Sequence, residues 1–392
     1  MEWLLSAALL GPALLWSFAL FSLLRVVRAV EVLADLPAER DHWPRLSVVS
    51  PACNEEAGIA AALASLAAQD YPGLEVIAVN DRSTDRTGAL IDEAARANPR
   101  IIPVHLTHLP EGWLGKLNAM NEGIARSSAD WFLLADADVR FGPLALKKAI
   151  AWAESRQLDF LTALPQVDPA GFLADTVFSV SGVAMGLQFP PWKLRDPNRP
   201  EFFGIGAFML VRRAAYDRSP GLEWLKLEVA DDLGIALLIK KHGGKCDVVN
   251  GRGLLLLHWY SSFTDMKEKM QKNFFAVIGR FSLSRSLAMA AMVTYLALGP
   301  LLALCPSTPL PFRVLGPSAR YVTTPAIASE RERLKRPITA KKFFCIFSFM
   351  SVNELYQCRR SKPRPLATSH FPPCCLISRH TPMSSATSSL SH

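Results

Sequence analysis

The sequence predicts an α/β domain, a mostly parallel sheet with helices on both faces, flanked by transmembrane helices. Three observations predict it. Strand and helix patterns alternate between residues 46 and 135, the rhythm of successive βαβ units. Each strand run ends in polar residues, at the edge where such sheets collect ligands. Two uncharged runs, Trp3 to Leu24 and Leu287 to Cys305, bracket the region, and each approaches the ~20 apolar residues that a bilayer crossing takes.

The elements follow in order. Leu46 to Ser50 reads as a strand, and the Ala- and Leu-rich stretch Glu56 to Gln69 as a helix. Glu75 to Val79 is the next strand, Thr87 to Ala97 a helix, and Arg100 to Leu106 a third strand. Lys116 to Ser127 is helical and leads to the apolar run Trp131 to Ala135, a buried strand. The second half is less regular. Phe160 to Leu164 and Cys246 to Val249 read as strands, Phe202 to Val211 as an apolar segment broken by two glycines, and Leu233 to Lys241 as a short helix.

The expected plan is an anchor over 3–24, a linker over 25–45, the α/β domain over 46–263, a second span over 287–305 and a basic tail over 306–392. Residues 264–285 interleave Lys267, Lys269, Lys272 and Arg280 with Met266, Met270, Phe274 and Phe275, which fits an amphipathic helix on the membrane surface. Arg25 and Arg28 follow the first span, and Arg280 and Arg285 precede the second. The positive-inside rule therefore puts the domain on the cytosolic side of the cell (inner) membrane. The Pro- and Ser-rich tail reads as disordered, or as an out-of-frame translation of a longer membrane region.

The formal charge of +8 is uneven. The tail holds 13 of the 43 Lys/Arg and 3 of the 35 Asp/Glu, so the body is slightly negative. With no basic stripe interleaved with aromatics, the body does not suit a nucleic-acid partner. The seven cysteines form no zinc-like CxxC pair.

Asp136-Ala137-Asp138 closes the run from Trp131. Carboxylates at i and i+2 of an extended segment lie on one side, and oxygen ligands so arranged suit Mg2+ or Mn2+, which can in turn bind a diphosphate. Alone, the pair also matches a solvated turn. Three other segments gather at strand ends or a helix start: Pro51-Ala52-Cys53-Asn54-Glu55-Glu56, Asn80-Asp81-Arg82-Ser83-Thr84-Asp85, and Gly115-Lys116-Leu117-Asn118-Ala119-Met120-Asn121-Glu122-Gly123. Asn54, Glu55 and Asp81 also fit ordinary caps and turns, and Lys116 a solvated helix-start lysine. Asp231-Asp232 opens a helix, where the dipole favours acids. Neighbouring carboxylates repel, however, so one pKa should rise toward that of a base working near neutral pH. Gly204-Ile205-Gly206 lacks the third glycine of a dinucleotide fingerprint. Its glycines permit close backbone approach.

In order and context the four segments resemble the family 2 glycosyltransferases, over roughly residues 45 to 282. The resemblance implies the GT-A fold, which is Rossmann-like, and a nucleotide-sugar donor, a UDP-sugar. It implies that Pro51, Asn54, Glu55, Asp81, Lys116, Asn121 and Asp136 bind this donor, with Asp81 accepting a hydrogen bond from the uracil imide. It implies that Asp138, with Asp136, holds Mg2+ or Mn2+, which neutralises the leaving diphosphate. The family's acidic pair, usually Glu-Asp, is Asp231-Asp232 here. That points to Asp232 as the catalytic base and leaves the division between the two open. Many members continue with Gln-x-x-Arg-Trp. Gln271-Lys272-Asn273-Phe274-Phe275 lacks the Arg and Trp, which resembles the branch of ceramide glucosyltransferases and hopanoid-associated transferases. The expected activity is sugar transfer, with inversion, to a lipid or lipid-linked acceptor at the cytosolic membrane face. His258-Trp259-Tyr260 lies near the acceptor's expected approach, although core packing is the commoner fate of such aromatics. Two alternatives stand beside this: a nucleotidyltransferase, which would not need Asp232, and a non-catalytic membrane scaffold with a degenerate transferase domain.

Overall fold

The computed structural model describes residues 17–18, 20–273, 284, 287, 290 and 291. Residues 20–29 form helix α1. The chain continues through β1 (Leu46–Ala52), α2 (Ile59–Ala67), β2 (Leu74–Asp81), α3 (Thr87–Ala97), β3 (Ile101–Leu106), α4 (Gly115–Arg126) and β4 (Trp131–Leu134). Then come β5 (Arg140–Phe141), α5 (Ala145–Ser155), β6 (Phe160–Leu164), β7 (Gln166–Val167), α6 (Phe172–Gln188) and α7 (Pro191–Leu194). The last elements are β8 (Met209–Arg212), α8 (Arg213–Asp217), α9 (Asp231–Lys241), β9 (Cys246–Asn250), β10 (Leu255–Leu257) and α10 (Phe263–Asn273).

Seven strands make one sheet in the order β3-β2-β1-β4-β8-β6-β9. All neighbours are parallel except β8, which runs antiparallel to β4 and β6. β1 and β4 are buried along their whole length; β4 is accordingly apolar throughout, and β1 is apolar but for Ser47 and Ser50. Val48, Val76 and Leu133 point into one core, against Leu63 of α2 and Ile150 of α5. Val49, Ile77 and Phe132 point into the other, against Met120 of α4 and Leu238 of α9. A fully buried aliphatic side chain contributes about 1.5–3 kcal/mol, so this two-sided burial is what fixes the register. α4 lies close on the sheet because residue 123 is glycine; a Cβ there would stand 2.3 Å from Val49 Cγ1.

The structure departs from the sequence reading in four places. Residues 33–36 are not a free linker: Leu33 and Leu36 are buried in the core, and Lys148 Nζ donates to the Ala34 carbonyl at 2.7 Å. α5 and α6 were not expected; α6 is apolar nearly all round, so it has no strong helical period to read. A second sheet, β5-β10-β7, is built from strands of two or three residues, too short to show any pattern. The described part of the helix expected on the membrane surface, α10, buries Met266 against Ala174 and Tyr260. Met270 packs at the margin of the same cluster, and of residues 274–285 only 284 lies within the described residues. No helix among the described residues is long and apolar enough to cross a membrane. Residues 3–16 and 19 of the first expected span, all but 287, 290 and 291 of the second, and the whole tail lie outside the described residues.

Candidate active site

The cleft opens where β1 and β4 part. Sheet order reverses between these two strands, which makes this crevice the natural ligand site of an open α/β sheet. Pairing of β1 with β4 stops at Val49–Leu134, while β1 runs on beside β2 as far as Ala52. Val49 still accepts from the Ala135 N–H at 3.1 Å. Pro51, two residues on, presents its backbone to the same side, and having no N–H it leaves no ladder donor unpaired where β4 turns away. Asp136 and Asp138 lie on that turn, which is closed by the Val139 N–H on the Asp136 carbonyl at 3.3 Å.

Lys116 joins the two acidic centres. Its Nζ lies 2.8 Å from Asp136 Oδ1 and 3.0 Å from Asp231 Oδ2. A lysine in the first turn of a helix opposes the dipole, so these two ion pairs are what hold it there. Burial acts to lower its pKa, but Asp136 and Asp231 outweigh burial and keep it well above the ordinary value. A backbone bond from Leu114 N–H to the Lys226 carbonyl, 2.8 Å, brings the start of α4 against the segment that precedes Asp231. Asp231 and Asp232 form the first turn of α9. Burial first, and then the Asp231 charge, raise Asp232 to about 7. The two acids are thereby unlike: Asp231 is engaged by Lys116, and Asp232 is the member that takes up a proton near neutral pH.

The loops after β1 and β2 are tied to each other. Asn54 N–H donates to Ser83 Oγ at 3.1 Å and Glu55 N–H to Thr87 Oγ1 at 2.8 Å. Asn54 Oδ1 accepts from Thr84 N–H at 2.8 Å, so its side chain serves as a loop brace. Asp81 is buried, and Arg82 occupies both its oxygens, Nε on Oδ1 at 2.8 Å and Nη2 on Oδ2 at 3.2 Å. Asn121 is not joined to this cluster by any hydrogen bond among the described residues. It lies five residues beyond Lys116, about 140° around the helix.

Two glycines set the spacing between the centres. A Cβ on Gly204 would lie 2.3 Å from the Asp232 carbonyl oxygen, and one on Gly206 would lie 2.8 Å from Asp136 Oδ2. Thr162 Oγ1 accepts from Ile205 N–H at 3.1 Å and donates to the Phe208 carbonyl at 2.9 Å, which pins the loop. The sequence signalled only that backbone comes close to something here; it carried no sign that one glycine meets each acidic centre. His258 is exposed, with Nδ1 3.5 Å from Asp168 Oδ2. Trp259 and Tyr260 stack on each other at 5.5 Å and pack edge-on to Phe178, so packing uses both aromatics.

The donor set suits a hard divalent cation. Burial, then Asp138 and Asp136, push Glu55 up to about 7, and burial, then Asp136, raise Asp138. Surplus negative charge from oxygen ligands alone is what Mg2+ or Mn2+ relieves. Among the described residues no group of three His, Cys, Asp or Glu is arranged to hold a metal ion. Two carboxylates completed by substrate phosphates and water are the ordinary Mg2+ arrangement.

Known proteins are similar to this chain. A family model described as glycosyl transferase family 2 matches residues 47–219. A beta-monoglucosyldiacylglycerol synthase of Synechocystis is 27% identical over 209 residues, 53% of this chain and 42% of that protein. A probable glycosyltransferase of Bacillus subtilis is 39% identical over 109 residues, 26% of each chain. The chain thus spans less than half the length of these curated relatives. A mannosyltransferase of Pyrobaculum calidifontis, solved with GDP-mannose and Mn2+, superposes with a TM-score of 0.51 at 18% identity, over 85% of this chain and 98% of that one. At that identity the likeness shows a shared fold.

Proposed function

We propose, from the premise that this chain belongs to glycosyl transferase family 2 through residues 47–219, that it moves a sugar from a nucleotide-sugar to a lipid or lipid-linked acceptor. One observation carries the reading: Lys116 spans Asp136 and Asp231, so a diphosphate-type site and a base-type site share one cleft. The glycolipid-forming relative supports the lipid acceptor, and UDP as the nucleotide rests on the motif resemblance. Anchoring at the inner membrane, with the domain in the cytosol, belongs to the same proposal and rests on the uncharged runs and their basic flanks.

In this reading Asp138, with Asp136, would hold Mg2+ or Mn2+, which supplies Lewis-acid neutralisation of the departing diphosphate. Asp232 removes the proton from the acceptor hydroxyl. Its pKa near 7 leaves it ionised for a large part of the time at neutral pH and still basic enough to take the proton. Lys116 holds the Asp231 and Asp136 carboxylates in place through its two ion pairs. The acceptor oxygen attacks the anomeric carbon opposite the leaving diphosphate, one bond forming as the other breaks, and the configuration inverts.

The test is nucleotide release from a panel of sugar donors, using detergent-purified protein, membrane lipid extract and Mn2+ or Mg2+, with Asp232→Asn and Asp138→Ala alongside. Metal- and lipid-dependent turnover of one donor, lost in both variants, is expected. Full activity in Asp232→Asn would turn the reading to a nucleotidyltransferase. Absence of any donor binding would leave the scaffold.

A further inference from the structure

We infer that His105 and Asp92, on β3 and α3 outside the cleft, are positioning residues for the donor, and that protonation of His105 loosens the loops that hold it. The inference rests on the nucleotide-sugar reading above and adds two residues and a pH response to it. His105 stands in register with Asn80 at the carboxyl end of β2. Its Nε2 lies 2.9 Å from Asp92 Oδ1, and its Nδ1 lies 3.1 Å from Asn80 Nδ2.

Donors and acceptors leave one arrangement of this cluster. Ser83 N–H can only donate, and it lies 3.1 Å from the Asn80 side chain, so the amide atom it meets is Oδ1. The Asn80 NH2 therefore faces His105. Nδ1 has to accept from it, and Nε2–H donates to Asp92, which is the neutral ring in one tautomer. A proton on Nδ1 sets donor against donor. Turning the amide over would satisfy the ring but set its NH2 against Ser83 N–H. Nor can the amide slide toward α3. It fills the space that Gly88 leaves, where a Cβ would stand 2.8 Å from Asn80 Nδ2.

The amide in turn holds the loops after β1 and β2. Ser83 Oγ accepts from Asn54 N–H, and Asn54 Oδ1 from Thr84 N–H. Each loop carries a non-glycine residue in left-handed backbone, Asn54 at φ +57° and Arg82 at φ +56°. Such angles persist where neighbours over-determine them, so losing one bond of the cluster frees both loops. The charges around the ring do not offset that loss. α3 presents Asp92, with Arg96 one turn beyond it. β2 presents the neutral Asn80, and Asp81 beside it is taken up by Arg82. Asp85, between β2 and α3, accepts from the Thr87 and Glu56 N–H groups. Asp92 favours the imidazolium, but its side chain is 50% exposed, and an ion pair so exposed is worth little.

The experiment is calorimetric titration of the full-length chain in detergent with UDP and with GDP, each with Mn2+, from about pH 8 to about pH 5.5. His105→Asn is run alongside; its amide oxygen replaces Nδ1 as acceptor and carries no titrating proton. Glu55, Asp138 and Asp232 are common to both chains, so the ratio of the two Kd values isolates His105. Over that range the wild-type Kd should rise about fivefold more than that of the variant, the size of one lost hydrogen bond with its donor left unpaired. If His105→Asn fails to fold, Asp92→Asn is the second variant. Without the carboxylate's charge, the loss of affinity in acid should set in at a lower pH than in the wild type, a shift that a merely structural role would not produce. A ratio that stays constant across the range overturns the inference, as does an unmoved midpoint in Asp92→Asn, and both leave the donor reading intact. No binding of either nucleotide by the wild-type chain at pH 8 overturns both.

Discussion

Asp232 is placed so that its charge is expensive and its proton is useful. Replacing it with Asn should cut turnover by about 10²–10⁴-fold, the usual range for a lost general base, measured as kcat at saturating donor. Its raised pKa also sets a sign for stability. The folded state holds a proton on Asp232 up to about 7, whereas the unfolded chain releases it near 4. Stability therefore falls as pH rises between those values. Asp232→Asn should accordingly raise the melting temperature at pH 8, with the gain shrinking as pH drops from about 7 to about 4. An equal gain at pH 4 and pH 8 would show that the carboxylate is not the cause. Lys116→Met should remove both ion pairs and lower kcat/KM for the donor at least tenfold, while Lys116→Arg retains part of it. The sequence marked Lys116, Asp136 and the acid pair as candidates. The motif resemblance pointed to Asp232 as the base but left the division open, because two adjacent, chemically identical carboxylates differ only in which one a lysine 115 residues earlier can reach. Nor could it show that Arg82 covers Asp81, since that depends on burial and on a left-handed backbone angle.

At the scale of elements, the loop before β8 is the most constrained part of the cleft. Gly204→Ala should displace the first turn of α9, because the added Cβ meets backbone and not the end of a flexible side chain. A cost of about 1–3 kcal/mol in denaturant unfolding is expected, together with loss of turnover. Gly206→Ala first meets the Asp136 carboxylate, a side-chain end, so it should spare stability and weaken metal-dependent donor binding instead. The periodic helix Thr87–Ala97 and the short, largely apolar strand Phe160–Leu164 form as read from the sequence. α6 was hidden because apolar residues all round a helix give no contrast, and β5, β7 and β10 because long-range partners make them strands.

Across the whole molecule, the N-terminal segment is stitched to the domain. Arg195 Nη2 donates to the Ala29 carbonyl at 3.1 Å, Asn250 N–H to the Glu31 carbonyl at 2.8 Å, and the Arg25 guanidinium lies 4.2 Å over the Trp192 ring. A chain begun at residue 46 should therefore be less stable than one begun at residue 20. The loss of Leu33 and Leu36 from the core should cost about 3–6 kcal/mol, read from urea unfolding of the two truncations. Polar composition around Pro37 to Pro44 made this stretch look like a linker, since two leucines are too few to reveal a docking segment.

The strand order also governs how the chain is made. β1 to β4 can pair as soon as they leave the ribosome, because each finds a neighbour among strands already present. β6 cannot, since β8 lies between it and β4 and is synthesised about 45 residues later. At ~5–20 residues per second, Phe160–Leu164 waits for roughly 2–9 s with both edges open. During that interval an apolar strand destined for the interior is available to any other chain, so the yield of folded protein is decided by what shields those five residues.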